Sequence, residues 1–293
     1  MPLTSSPDEH SADCLNVVLL TNNDEAEVLE FLSLRPIHTV CMTSYIRDHG
    51  IESPFNRGLF YGYRNDQGVL EGVALIGHAT LVETQSDRAL RAFAEVKYRD
   101  THSHLIRGEH DLMQRFWQYY AELDHSPHRA CTELLFEQTE PPVITEPLPE
   151  LRLATTGDLE SIIRINAQMI ISECGIDPLV RDANGFRARA LRRIEQGRVW
   201  VWTKDERLIF KADIFAETPD MSYLEGINVH PLYRNMGYGL RCMKSLSTIL
   251  LQRSRALCLL VNAQKKELCS FYEKAGFVLR GTYDTIYLDT RRY

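Results

Sequence analysis

The residues best suited to chemistry lie in one stretch, Ile227-Asn-Val-His-Pro-Leu-Tyr-Arg234-Asn-Met-Gly237-Tyr-Gly239. A strand-like run enters a tight loop of the form R-x-x-G-x-G. The loop opens an amphipathic helical pattern from about Leu240 to Arg253, with apolar residues at 243, 246, 249 and 250. Glycines let a backbone approach a ligand closely. The first N–H groups of a helix lack internal partners, and the helix dipole favours an anion beside them. Strand, glycine loop and helix together read as a phosphate cradle. A dinucleotide site wants G-x-G-x-x-G and an acid about 20 positions later. Here Cys242 stands at the third glycine, and Ala256 to Val261 holds no acid. A nucleoside triphosphate loop wants G-K-[ST], which is absent.

The third reading is the pyrophosphate loop of coenzyme A acyltransferases, and the flanking residues favour it. Ile227, Val229, Pro231 and Arg234 to Gly239 match a hydrophobic strand, a proline and Q/R-x-x-G-x-G/A. Downstream, Leu260-Val261-Asn262 and Phe271-Tyr272-Glu-Lys-Ala-Gly276-Phe277 place an asparagine and a tyrosine ten residues apart. On these two motifs Leu151 to Leu288 resembles the GNAT superfamily of acetyl-CoA-dependent N-acyltransferases. The resemblance implies that Ile227 and Val229 offer backbone groups to the pantetheine arm. It implies that Arg234, Asn235, Met236, Gly237, Tyr238 and Gly239 hold the pyrophosphate, that Asn262 bonds the pantetheine amides, and that Tyr272 protonates the departing thiolate. Lys265 stands where many members keep a second asparagine; it either reaches a phosphate or points into water.

Attack by an amine requires the neutral form, so a base or a water chain takes its proton. Glu225 lies where several members of the superfamily keep such a carboxylate. Alternation puts Tyr223, Glu225, Ile227 and Val229 on one face. A hairpin turning at Pro219 sets Asp213 opposite Glu225, with Lys211 two residues along the same face. Facing carboxylates raise one pKa and a nearby lysine opposes that. The group is therefore either a base or a salt-bridged strand pair. Tyr272 likewise is either catalytic or cleft packing beside Phe271, and Glu173 and Asp177 either bind a cationic acceptor or are solvated. Trp200, Trp202, Phe210 and Phe215 read as sheet core.

These residues need a scaffold of alternating elements. Leu151–Ala154, 199–203, 208–217, 221–229 and 258–261 read as strands; 156–171, 186–194, 240–253 and 267–274 read as helices; 277–288 reads as a terminal hairpin. This is an α+β pattern with a mixed, mainly antiparallel sheet. The first half repeats it faintly, with strands near 15–20, 58–64, 69–77, 79–83, 105–107 and 130–136 and helices at 24–33, 38–49, 86–97 and 111–123. Gln138 to Glu150 holds four prolines and three glutamates, a connector composition. The expected organisation is a degenerate GNAT-like domain at 12–138, a Pro-rich linker at 139–150 and an N-acetyltransferase domain at 151–293. The whole chain also resembles a group of two-part GNAT proteins, through Phe210-Lys-Ala212 and Tyr223-Leu-Glu-Gly226. In the first half the place of the cradle, Ala79 to Arg88, has no glycine and carries Glu83 and Asp87, so that half is expected not to bind CoA.

Composition narrows the classes further. The 293 residues are 44% hydrophobic and 25% charged, which excludes a disordered or low-complexity chain. No run approaches the roughly 20 apolar residues of a membrane span, and Met1 to Ser11 is polar, unlike a secretory signal. Seven dispersed cysteines without a C-x-x-C pair suit reduced thiols in the cytoplasm. Residues 1–150 carry 24 acidic and 11 basic side chains, while 151–293 carry 16 and 22, so a net −13 faces a net +6. The basic half fits a phosphorylated co-substrate, which the resemblance implies is acetyl-CoA, and gives no need for nucleic acid. The resemblance further implies an amine acceptor on a small molecule or protein, which the acidic half would attract if cationic; no membrane partner is expected. Oligomerisation stays open. His102, His104, His110, His125 and His128 lack metal-ligand spacing, so no metal is expected. The rival from another class is a non-catalytic CoA-binding sensor; a scaffold that binds nothing at the loop is the third.

Overall fold

The structure is a computed structural model in which residues 16–100, 103–121, 127–144 and 150–288 are described. The histidines at 102 and 125 and the N-terminal segment lie outside them, as do residues 145–149 of the proline-rich connector. The chain divides into two compact units: Met1–Leu135 with Leu260–Lys265 and Arg280–Tyr293, and Phe136–Leu259 with Lys266–Leu279.

Each unit is built in the same order. The first runs β1 (Val17–Leu19), α1 (Glu25–Ser33), α2 (Pro36–His49), β2 (Gly58–Arg64), β3 (Leu70–Gly77), β4 (Ala79–Thr84), α3 (Asp87–Arg99), β5 (Leu105–Glu109) and α4 (His110–Ala121). After β6 (Pro127–Gln138), the second runs β7 (Arg152–Leu153), α5 (Leu159–Cys174), α6 (Pro178–Glu195), β8 (Val199–Lys204), β9 (Arg207–Glu217), β10 (Met221–Val229), α7 (Tyr238–Leu250), β11 (Ala256–Asn262) and α8 (Lys266–Ala275). A long β12 (Val278–Leu288) closes the chain.

The repetition reaches the helix caps. In Thr21-Asn-Asn-Asp24 the Asp24 carboxylate accepts from the Thr21 N–H at 2.8 Å. In Thr155-Thr-Gly-Asp158 the Asp158 carboxylate accepts from the Thr155 N–H, also at 2.8 Å. Both are reciprocal capping boxes that start the first helix of their unit. Arg64 pairs with Asp24, and Arg152 grips Asp158 with both guanidinium nitrogens, at 2.8 and 3.0 Å.

In the first unit the strand order is β1-β2-β3-β4-β5-β12, antiparallel except for the parallel pair β4–β5. Alternate residues of β3 serve two cores: Val73 and Leu75 pack with Val28, Leu32, Met42 and Ile46 of α1 and α2. Ala74 and Ile76 pack with Phe93 of α3 and Met113 and Phe116 of α4. A strand covered on both faces reads as a continuous apolar run. In the second unit the order is β11-β10-β9-β8-β7, with β10–β11 parallel and the other pairs antiparallel. Val199 and Val201 face Ile162 of α5 and Phe186 and Ala190 of α6. Trp200, Trp202 and Phe210 are buried, as core residues should be.

Three local readings are corrected. Residues 278–288 form one strand, not a hairpin; Tyr283–Tyr287 pairs antiparallel with Glu109–Leu105, so its far end belongs to the first unit. The helix read over 186–194 begins at Pro178 and kinks at Asp182. Asp177 caps its first turn through the Leu179 N–H at 2.9 Å, and Asp182 re-caps it through the Gly185 N–H at 2.8 Å. The third concerns β10, whose alternation is broken, as described next.

Candidate functional site

β10 lies between β9 and β11, and its two edges end differently. Pairing with β11 runs from Met221↔Ala256 to Leu224↔Leu259 and stops there. Pairing with β9 continues through Glu225↔Asp213, then Asn228↔Lys211 and Val229↔Phe210. Between the pairs Glu225↔Asp213 and Asn228↔Lys211, Gly226 and Ile227 of β10 oppose Ala212 alone, which is a β-bulge. A second register shift falls between Tyr223 and Leu224. Tyr223, Glu225, Ile227 and Val229 therefore do not share one continuous face. The bulge bends the strand where it leaves β11, and the β11-side edge of Glu225–Val229 carries no strand in that register.

The loop follows directly. Pro231–Tyr233 make a turn of 3-10 helix, with His230 Nδ1 accepting from the Leu232 N–H at 3.3 Å. Arg234 Nε donates back to the Val229 carbonyl at 3.0 Å, tying the loop to the strand end. Asn235 takes φ 60°, which asparagine tolerates, and Gly237 takes φ 79° with open space around it. Gly237 is the N-cap of α7, and Arg234, Asn235, Met236 and Gly237 are exposed. A methyl group at Gly239 would lie 2.9 Å from Val229 Cγ2 and 3.4 Å from the Phe271 ring. Close packing of strand end, loop and α8 thus requires a glycine there. Behind the loop, Tyr238 packs on Trp202 at 5.0 Å and on Tyr233 at 6.0 Å.

Tyr272 is buried on α8, between Phe271 (5.1 Å between ring centroids), Phe277 (5.9 Å) and Phe136 (6.4 Å). Burial pushes its phenol well above the usual tyrosine range, so the hydroxyl keeps its proton at neutral pH. Glu225 sits in a different cluster. Arg193, in the last turn of α6, reaches Glu225 Oε1 at 2.9 Å and Asp213 Oδ2 at 3.5 Å, with its guanidinium 4.9 Å over the Phe215 ring. Lys211 Nζ lies 2.8 Å from Asp213 Oδ2 and donates to the Gly226 carbonyl at 3.1 Å. The expected juxtaposition of Asp213 with Glu225 is present, completed by Arg193. The sequence gives no signal for Arg193, because it comes from a helix distant along the chain. Asp213 Oδ1 is buried without a hydrogen-bond partner among the described residues.

Asn262 and Lys265 belong to the segment Leu260–Lys265 of the first unit. There Asn262 Nδ2 lies 3.1 Å from Cys131 Sγ, and its Oδ1 accepts from the Gln264 N–H at 2.9 Å. The remaining predicted residues, Glu225, Ile227, Val229, Arg234 to Gly239 and Tyr272, are all in the second unit.

The corresponding place in the first unit is built differently. β4–β5 pairing stops at Leu81↔Arg107. Only Gln85 and Ser86 separate β4 from α3, whereas residues 230–237 separate β10 from α7. Glu83 is buried and 3.1 Å from Arg35, which also holds Glu109 at 2.6 Å. Burial pushes the Glu83 carboxyl up, against the pull of Arg35. Asp87, in the first turn of α3, pairs with Arg115 at 2.8 Å. Two residues leave no room for a phosphate loop. Of the histidines, His104 packs edge-on to His78 at 4.7 Å and His110 bonds Asp284 at 2.8 Å. No group of three or more His, Cys, Asp or Glu side chains suited to a metal occurs among the described residues. No helix among them is long and apolar enough to cross a membrane.

A family model described as FR47-like protein matches residues 211–286, which include β10, the loop and Tyr272. The solved structure of a tandem GNAT protein from the clavulanic acid biosynthesis pathway aligns over 94% of this chain and 99% of its own, with TM-score 0.58 and 11% identity. The chain has the GNAT acetyltransferase fold. A GCN5-related N-acetyltransferase from Sphaerobacter thermophilus aligns over 94% of this chain and 95% of its own, with TM-score 0.58 and 11% identity. A Drosophila protein aligns over 94% and 99%, with TM-score 0.70 and 10% identity. No curated protein sequence matches the chain. With the repeated element order, the molecule is two GNAT-like units in tandem, only the second of which keeps a glycine loop at the strand–helix junction.

Proposed function

We propose that this protein is an acyltransferase that moves an acetyl group from acetyl-CoA to an amine by direct attack in a ternary complex. One observation carries the reading: the strand of Glu225–Val229, unpaired on its β11 side, runs into an exposed glycine loop that caps a helix. Main-chain N–H groups at Gly237–Gly239 and the α7 dipole suit a pyrophosphate. Gly237, exposed and with open space where a side chain would stand, suits a close backbone approach.

Acetyl-CoA supplies the thioester, and the chain supplies the rest. The open edge of β10 offers backbone groups to the pantetheine amides and N–H donors to the developing oxyanion. Burial keeps the Tyr272 phenol protonated, and as general acid it hands that proton to the departing sulfur. Glu225, held by Arg193 and about one third exposed, receives the ammonium proton or anchors the ammonium. The acceptor is an amine on a small molecule or protein.

The test is a screen of primary amines for CoA release, followed by two variants. Tyr272→Phe is expected to keep acetyl-CoA affinity and lose about 10²-fold or more in turnover. Glu225→Gln is expected to cut turnover about 10²-fold; an unchanged rate would remove Glu225 from the mechanism. Binding without turnover on any amine would favour a CoA sensor.

A further inference from the structure

The reading above depends on β10 leaving β11 at Glu225, and the structure contains a buried device at that point. Lys211 is fully buried on β9, a costly place for an ammonium. Its charge is met by Asp213, itself 2% exposed, at 2.8 Å. A second bond runs from Nζ to the Gly226 carbonyl at 3.1 Å, across to β10 and into the bulge. Gly226 is held at φ 59°, and a Cβ there would meet Lys211 Nζ at 2.9 Å and Asp213 Oδ2 at 3.0 Å. The ammonium and carboxylate thus fill the space against the bulged residue.

We propose that Lys211 and Asp213 are a positioning pair for the cofactor strand: by gripping the Gly226 carbonyl they fix the β10 bulge and hold its open edge for the pantetheine arm. Neither residue touches the reacting atoms. The pair acts through Gly226. A buried ion pair is seldom a net source of stability, and its replacement by apolar residues of similar size is often neutral. Stability alone therefore gives little reason for an ammonium beneath this strand. The proposal rests on the acetyl-CoA reading above.

Lys211→Met and the double variant Lys211→Met/Asp213→Leu test it with two readouts on the full chain. Hydrogen exchange of the Gly226–Val229 amides, measured without ligand, is expected to rise at least 10-fold in both variants. Acetyl-CoA titrated calorimetrically is expected to bind at least 10-fold more weakly to both. The double variant, free of uncompensated charge, is expected to regain the melting temperature that the single one loses. Restored affinity and restored exchange protection in the double variant would overturn the proposal, as would wild-type behaviour of Lys211→Met. Failure of the wild type to bind acetyl-CoA would instead sink the acyltransferase reading, and the exchange readout would still decide whether the pair fixes the bulge.

Discussion

At the scale of single residues, the two candidates for proton transfer have opposite environments. Tyr272 lies among three aromatic rings, and burial raises its phenol above the ordinary tyrosine value near 10. The sign follows: the neutral form persists past pH 10, so loss of the Tyr272 proton will not cut the rate anywhere below that. A pH–rate profile whose alkaline fall below pH 10 vanished in Tyr272→Phe would contradict this. Glu225 instead lies in a network of two cations and two carboxylates. Much of this was legible from residue types: the tyrosine from its motif, and the Glu225–Asp213 pair from the turn at Pro219 and strand register. Arg193 was not, since ion pairing between a helix end and a strand leaves no periodic trace. The Asn262–Cys131 contact was equally hidden, because it needs β6 beside residue 262.

At the scale of elements, bends and caps matter more than periodicity. Alternation along β10 predicted one face for Tyr223 to Val229, and the bulge at Glu225–Asn228 broke it. A single extra residue inverts every side chain beyond it, and no composition signal marks it except Gly226. The loop after β10 is specified at Gly239, where Gly239→Val is expected to clash with Val229 and Phe271. Overpacking of this kind costs about 1–3 kcal/mol. Acetyl-CoA affinity of that variant should fall at least 10-fold, measurable by calorimetry. The α5 cap gives a pH-dependent prediction. Arg152 and the Thr155 N–H pull the Asp158 carboxyl down to about 2. Its stabilisation is present above the ordinary aspartate value near 4 and is lost as pH falls through about 2. Asp158→Ala should cost about 1 kcal/mol at pH 7 and clearly less near pH 2, where the carboxylate is half protonated, read from urea melts at the two pH values.

At the scale of the whole molecule, the charge split follows the two copies of one element order. The basic half contains the loop suited to phosphates, whereas in the acidic half Glu83 and Asp87 flank a two-residue junction. Helices and strands were legible in both halves from their apolar periods, more faintly in the first. The long β12 was not, since its pairing with β5 joins segments far apart along the chain. A chain ending at Leu279 would leave β5 without that partner and Gln114 and Thr132 without Asp284. The first unit of such a chain is expected to lose protection from proteolysis, while a wild-type cleavage pattern would contradict the strand's place. The central claim is that one of the two units, the second, takes acetyl-CoA. Calorimetric titration of the full chain with acetyl-CoA tests it most directly. The account predicts one equivalent bound, lost in Gly239→Val; no binding, two equivalents, or one equivalent that survives that substitution would contradict it.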